Sequence, residues 1–161
     1  MTDHYENQQI WNLIKDMPVG MLTTYDGHRM HSRPMYVVQD GYEGTLWFFT
    51  HIGSEKTKNV FYQENVCVTF SNPDSGVQVS LSGDAKLNLD RSLINRFWSG
   101  AVETWLPGGK DDSKLGILEV TVSHAEYWGQ GRANDVSHPA GAVSAEIACE
   151  KYALGRQAKL N

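Results

Sequence analysis

Apolar residues recur at two different periods along this chain, first helical and then, for most of its length, every second position. Ile10, Trp11, Ile14 and Met17 fall at helical spacing behind an Asp3…Glu6 pair of capping-box type, so an amphipathic helix is expected there, ended by Pro18. Val19–Thr24 reads as a strand, Tyr25-Asp26-Gly27-His28 as a hairpin turn, and about Arg29 to Val38 as a second strand interrupted by Pro34. A proline within a strand implies an edge, a bulge or a break in the ladder, and it leaves nearby main-chain groups free for another partner. After a loop over residues 39–44, the Trp- and Phe-rich run Thr45–Thr50 suits a strand buried on both faces or nearly so. It feeds through His51-Ile52-Gly53 into a helix that Ser54 is placed to cap, with Val60 and Phe61 facing inward.

The two-residue period then dominates. Val66, Val68 and Phe70 alternate with Cys67 and Thr69, and after a turn at residues 72–76 Val77, Val79 and Leu81 alternate with Gln78, Ser80 and Ser82. The second of these strands carries an uncharged polar row on one face. Asp90 is placed to cap a short helix with Leu93, Ile94, Phe97 and Trp98 on its apolar face, and a loop with Trp105, Pro107, Gly108 and Gly109 follows. Leu115–Val122 and Ala125–Trp128 read as the last two strands, and a helix is expected over Ala140–Tyr152. Six or seven strands in meander with only short helices between them predict a mainly β (α+β) chain built as a small antiparallel barrel.

Composition narrows the picture without changing it. The 161 residues fit one domain, 1–161, with a core at about 19–128 and a C-terminal extension over 129–161. Net charge of −5 and a pI near 5.6 leave no basic stripe for nucleic acid. The apolar runs are only a few residues long, against the ~20 that a membrane-spanning helix needs. The chain opens on polar residues without a signal-peptide pattern, and its two cysteines, Cys67 and Cys149, share no motif spacing, so a cytoplasmic location is expected. His28 and His31 sit three apart on one strand and point to opposite faces, which disfavours a metal site. Cys67 reads as a small core residue, and Asp111-Asp112 as a solvated loop or a cap.

The common catalytic constellations are missing: no H-E-x-x-H, no G-x-S-x-G and no paired-cysteine motif occurs. One cluster stands out, comprising Arg33-Pro34-Met35, Phe49-Thr50, Ser54-x-Lys56 and the polar row of Gln78 and Ser80. A helix start with two cations and hydroxyls suits a phosphate. The proline-broken strand suits a flat heteroaromatic ring that needs a few main-chain hydrogen bonds. Flavin mononucleotide (FMN) has both parts. The residues alone leave open the plainer alternative, in which Arg33 and Lys56 are unrelated surface charges and Gln78 faces water.

Taken in order, Arg33-Pro34-Met35, Trp47-Phe48-Phe49-Thr50, Ser54-x-Lys56, Val77 to Gly83, Trp105 to Gly109 and Glu126-Tyr127-Trp128 resemble the pyridoxamine 5′-phosphate oxidase-related superfamily, and within it the general stress protein branch of FMN-binding split barrels. The resemblance runs unbroken from about Val19 to Trp128. It implies a six-stranded split β-barrel homodimer that holds FMN at the subunit interface. By position, Arg33 and Lys56 would grip the phosphate, and Pro34, Met35, Tyr36 and the backbone through Val38 would line the ring beside Phe49. Thr50 and Ser54 would bond the ribityl chain and phosphate. Gln78 matches a family glutamine, and Trp105 and Trp128 match aromatics that close the site, from the same or the other subunit. Two departures stand against vitamin B6 oxidation: Val38 replaces a substrate-gripping lysine, and Gly129-Gln130-Gly131-Arg132-Ala133-Asn134 replaces an arginine–x–histidine pair. The expectation is therefore an FMN-binding homodimer and flavin oxidoreductase. The alternatives are a non-catalytic flavin-binding stress or sensor protein, or a haem-handling split-barrel relative.

Overall fold

The structure is a computed structural model, described over residues 4–129 together with the backbone of residues 142–143 and 156–160. It opens with helix α1 (His4–Ile14), whose Ile10 and Ile14 are buried in the core, as is Met17 just beyond it. Asp3 of the expected capping box lies outside the described residues. Six antiparallel strands follow: β1 (Val19–Tyr25), β2 (Met30–Tyr36), β3 (Thr45–His51), β4 (Asn65–Asn72), β5 (Val77–Asn88) and β6 (Leu115–Gly129). Three further helices, α2 (Glu55–Tyr62), α3 (Arg91–Phe97) and α4 (Gly100–Glu103), lie between them. The strands pair in the order β2-β1-β4-β5-β6, and β3 pairs with Leu115 to Thr121 of β6 on the edge opposite β5. The sheet curls into a half-barrel around Leu22, Leu46, Phe48, Val68, Leu81, Leu118 and Val120, each fully buried.

Alternation did most of the work in building this sheet. Inward residues of adjacent strands fall into shared rows such as Leu22, Val68, Leu81 and Ala125, and outward residues into rows such as Pro34, Met21, Thr69, Ser80 and Glu126. Where two late strands were expected, one strand runs through. Ser82 pairs with His124 and Gly83 with Val122, so Ser123 is the extra residue of a bulge rather than the end of an element. Gly83 is required at that bulge, since a Cβ there would overlap the carbonyl oxygen of Thr121. Backbone of residues 142–143 (β7) and 156–160 (β8) extends the sheet beyond β6. The expected helix over Ala140–Tyr152 lies outside the described residues except at Ala142–Val143, which are strand.

The barrel closes along only part of the β2–β3 boundary. An isolated bridge joins Val37 to Phe48, and the Val38 N–H donates to the Trp47 carbonyl at 3.1 Å. Gln39 adds its side chain to the seam, donating to the Thr45 carbonyl at 2.5 Å and accepting from the Trp47 N–H at 2.8 Å. Elsewhere β2 and β3 part. The resulting split lies beside the residues that the sequence singles out.

Candidate functional site

Register shows which main-chain groups face the split. The Val37 N–H donates to the Pro18 carbonyl at 2.9 Å, which fixes the phase of the β1–β2 ladder. Main-chain groups of successive residues alternate sides in an antiparallel strand, so Ser32, Pro34 and Tyr36 direct theirs away from β1 and toward the split. On the other bank, the Ile52 N–H donates to Lys114 on the β6 side, so Phe49 and His51 face the split. Pro34 sits where its missing N–H breaks no ladder bond. These two open edges can give a planar polar ring several hydrogen bonds without disturbing the sheet.

The cations converge at one end of this split. Arg33 shares the inward face of β2 with Met35, and its Nη1 donates to the Thr24 hydroxyl at 2.6 Å. Thr24 is fully buried and also accepts from Asn59 Nδ2 of α2 at 3.0 Å, so one hydroxyl ties β1, the Arg33 guanidinium and α2 together. Lys56 stands in the first turn of α2, close enough that the Arg33 charge lowers its pKa, an effect second to burial. Burial likewise lowers the Arg33 pKa, and the Glu55 carboxylate opposes that shift. Among the described residues neither cation forms an ion pair. Two half-buried, mutually repelling cations without a salt-bridge partner are costly unless an anion joins them.

The start of α2 differs from expectation in one respect. Ser54 occupies the N-cap position, but its side chain makes no capping bond. Its hydroxyl instead lies 3.3 Å from the hydroxyls of Thr50 and Thr57, while the Thr57 hydroxyl donates to the Ser54 carbonyl at 2.7 Å. The first helical bond is that of Lys58 N–H to Ser54. The main-chain N–H groups of Glu55, Lys56 and Thr57 are therefore left pointing out of the helix start, the usual setting for an anion. Phe61 is a second correction. It is 77% exposed, because the buried side of α2 is formed by Thr57, Asn59 and Val60.

Toward the other end of the split lies a half-open pocket of about 150 Å³, lined by Pro34, Met35, Tyr36, Val38, Phe49, Val102, Trp105 and Leu106. No charged side chain lines it. Trp105 stacks on Tyr36 with ring centroids 6.3 Å apart and remains 68% exposed. The outer face of β3 is not bare, since Trp47 packs against Phe97 and Phe49 against Trp98. Paired cations, open main-chain edges and apolar pocket thus follow one another along β2.

Gln78 and Trp128 do not join this cluster within one chain. They pair with each other across β5 and β6, with β4 and β1 between Gln78 and β2, which at the usual strand spacing is ~14 Å. They also lie on the outward face, with Ser80, whereas Arg33 lies on the inward one. Cys67 is half-buried beside Ser80 on this same outward face, its Sγ 3.4 Å from that hydroxyl, and so is not a core residue. Among the described residues no histidine, cysteine, aspartate or glutamate cluster suits a metal ion; the His28 main-chain N–H donates to Asp26 Oδ1 at 2.8 Å in the turn, and His31 Nε2 lies 2.7 Å from Asp26 Oδ2. Thr24 and Asn59 were missed in the sequence. The one available signal was a threonine standing in an inward, otherwise apolar position of β1.

The pyridoxamine 5′-phosphate oxidase-like family model matches residues 5–152, nearly the whole chain. The chain belongs to the pyridoxamine 5′-phosphate oxidase-like family. Among curated relatives of this family member, General stress protein 26 of Bacillus subtilis (strain 168) is 29% identical over 133 residues, covering 81% of this chain and 93% of that protein. Among solved structures, a general stress family protein of Xanthomonas campestris pv. campestris is 28% identical, with a TM-score of 0.69 over 86% of this chain and 97% of that one. The general stress FMN/FAD binding protein of Xanthomonas citri is 24% identical, with a TM-score of 0.70 over 85% and 97%. Among the described residues of this pyridoxamine 5′-phosphate oxidase-like protein no helix is long and apolar enough to cross a membrane.

Proposed function

We propose that this protein is an FMN-binding general stress protein and a flavin-dependent oxidoreductase that works as a cytoplasmic homodimer. The observation that carries the reading is the pair Arg33 and Lys56, half-buried at a helix start without an ion-pair partner among the described residues, beside two open strand edges. In this reading the two side chains and the free N–H groups of α2 hold the phosphate. Thr50 and Ser54 hold the ribityl chain and phosphate. Main-chain groups of Pro34, Tyr36 and Phe49 meet the polar edge of the ring, and Met35, Tyr36, Phe49 and Trp105 cover its apolar part. Bound FMN would supply the redox chemistry, while the protein orients and tunes the ring. The neighbour from Xanthomonas citri described as binding FMN/FAD supports the choice of a flavin.

The outward face supports the dimer. Apart from Glu126 it carries mostly uncharged polar and apolar groups, among them Val19 and Met21, 46% and 40% exposed. A second copy laid on it would supply Gln78 and Trp128 to the site that they cannot reach in their own chain. The tryptophans say less, since Trp47 and Trp98 already pack on Phe97 and Phe49. Pyridoxine 5′-phosphate is not the substrate in this reading. Its phosphate needs a second cationic grip, and the pocket around Val38 carries no charge.

The absorption spectrum of the purified protein tests the reading. Flavin bands after incubation with FMN support it; a Soret band without flavin bands would favour haem handling instead. Reoxidation of the photoreduced complex by added electron acceptors separates an oxidoreductase from a protein that only stores or senses flavin.

A further inference from the structure

The arrangement along β2 has a direction. Pocket and open edges occupy residues 34–38, the cations meet at Arg33, and His31 stands two residues further toward the hairpin, about 6.6 Å on at strand rise. A ligand whose ring lies in the split and whose phosphate sits on Arg33 and Lys56 points any further extension at His31. The His31 ring stands there with the largely exposed Glu55 carboxylate beside it. His31 Nε2 lies 2.7 Å from Asp26 Oδ2, and its Nδ1 lies 3.7 Å from Glu55 Oε1. Asp26 also accepts the N–H groups of His28 and Arg29 at 2.8 and 2.9 Å, which holds its carboxylate ionised and fixed. The exposed Arg29 guanidinium, 3.8 Å from Asp26, offsets that charge. Glu55 acts electrostatically on Arg33 but, among the described residues, forms no salt bridge with a lysine or arginine.

We infer that His31 and Glu55 form an end-stop that restricts the site to flavins ending in a single phosphate, so that the protein selects FMN over flavin adenine dinucleotide (FAD). The inference rests on the FMN reading above and adds its upper size limit. FMN ends at Arg33 with a terminal phosphate whose free oxygens face both cations and the helix start. FAD offers there a phosphodiester of lower charge and must drive a second phosphate and a nucleoside past the His31 ring and the Glu55 carboxylate. Shape and like charge oppose it together.

Titration of the full-length protein with FMN and with FAD, followed by flavin fluorescence, tests the end-stop. The wild type is expected to bind FMN at least tenfold more tightly than FAD. Glu55→Gln should narrow that ratio by ~3-fold or more, an interaction between unit charges some 6 Å apart in a solvent-exposed setting. His31→Ala combined with Glu55→Gln should narrow it further. Raising the salt concentration should narrow the wild-type ratio more steeply than that of Glu55→Gln. Equal wild-type affinities, or a ratio unmoved in both variants, would overturn the end-stop while leaving FMN binding intact. Binding of neither flavin would overturn the FMN reading itself, and the end-stop with it.

Discussion

Lys56→Ala is the substitution that exposes the logic of the site most clearly. Lys56 is half-buried in the first turn of α2, and burial and then the Arg33 charge hold its pKa below the ordinary lysine value. In the free protein that charge is a burden; beside a phosphate it becomes a charge-assisted hydrogen bond. Such bonds contribute about 1.5–3 kcal/mol each, so Lys56→Ala should weaken FMN by roughly ten- to 150-fold. Riboflavin, lacking the phosphate, should bind wild type and variant alike. Isothermal titration of both ligands against both proteins completes the cycle. The sign of the pH effect follows from the same shift. Between the lowered folded pKa and the unfolded value of 10.5, the unfolded chain binds more protons, so stability of the free protein rises with pH through that window. Lys56→Ala should abolish the rise and leave the free protein no less stable at neutral pH. Equal losses for FMN and riboflavin would refute the assignment, because Lys56 would then be acting through the fold and not on the phosphate.

Four further outcomes are expected. Sedimentation equilibrium at micromolar concentration should show a dimer, and a clean monomer would remove the partner's Gln78 and Trp128 from the site. FMN-loaded protein should release no pyridoxal 5′-phosphate from pyridoxine 5′-phosphate; turnover near the ~10 s⁻¹ of an ordinary enzyme would mean that the uncharged pocket has been misjudged. Gly83→Ala should cost about 3 kcal/mol or more in urea denaturation, since its Cβ meets main chain that cannot move aside. The Asp26 carboxyl is held well below its usual pKa by the Arg29 N–H, then by His31 and the His28 N–H. Its stabilisation is therefore present above the unfolded value of 3.8 and lost as the pH falls below it, and Asp26→Asn should be less sensitive than wild type to denaturation between pH 4 and 2.

What was legible in the sequence was what a two-residue period and turn chemistry can specify. The β1–β2 hairpin, the alternation of β4 and β5 and the Asp90 cap, whose side chain accepts the Ser92 N–H at 2.8 Å, all depend on neighbours in sequence. The site was legible as far as its residue types, because Arg33 and Lys56 with a proline-broken strand limit the chemistry on their own. The rest depends on distant partners. Ser123 looks like a strand break until Gly83 is laid opposite it, and Ser54 looks like a cap until Thr50 and Thr57 claim its hydroxyl. Val60 and Phe61 are adjacent in sequence but ~100° apart around a helix, so only packing against the barrel decides which is buried. Placing Gln78 with Arg33 followed from their order in the chain, whereas the sheet puts two strands between them.

Titration of the wild-type protein with FMN and riboflavin side by side, read by quenching of flavin fluorescence, bears most directly on the claim that Arg33, Lys56 and the start of α2 form a phosphate site. Saturable binding of one FMN per protomer is expected, with riboflavin weaker by an order of magnitude or more. Equal affinities, or no saturable binding of FMN, would contradict it.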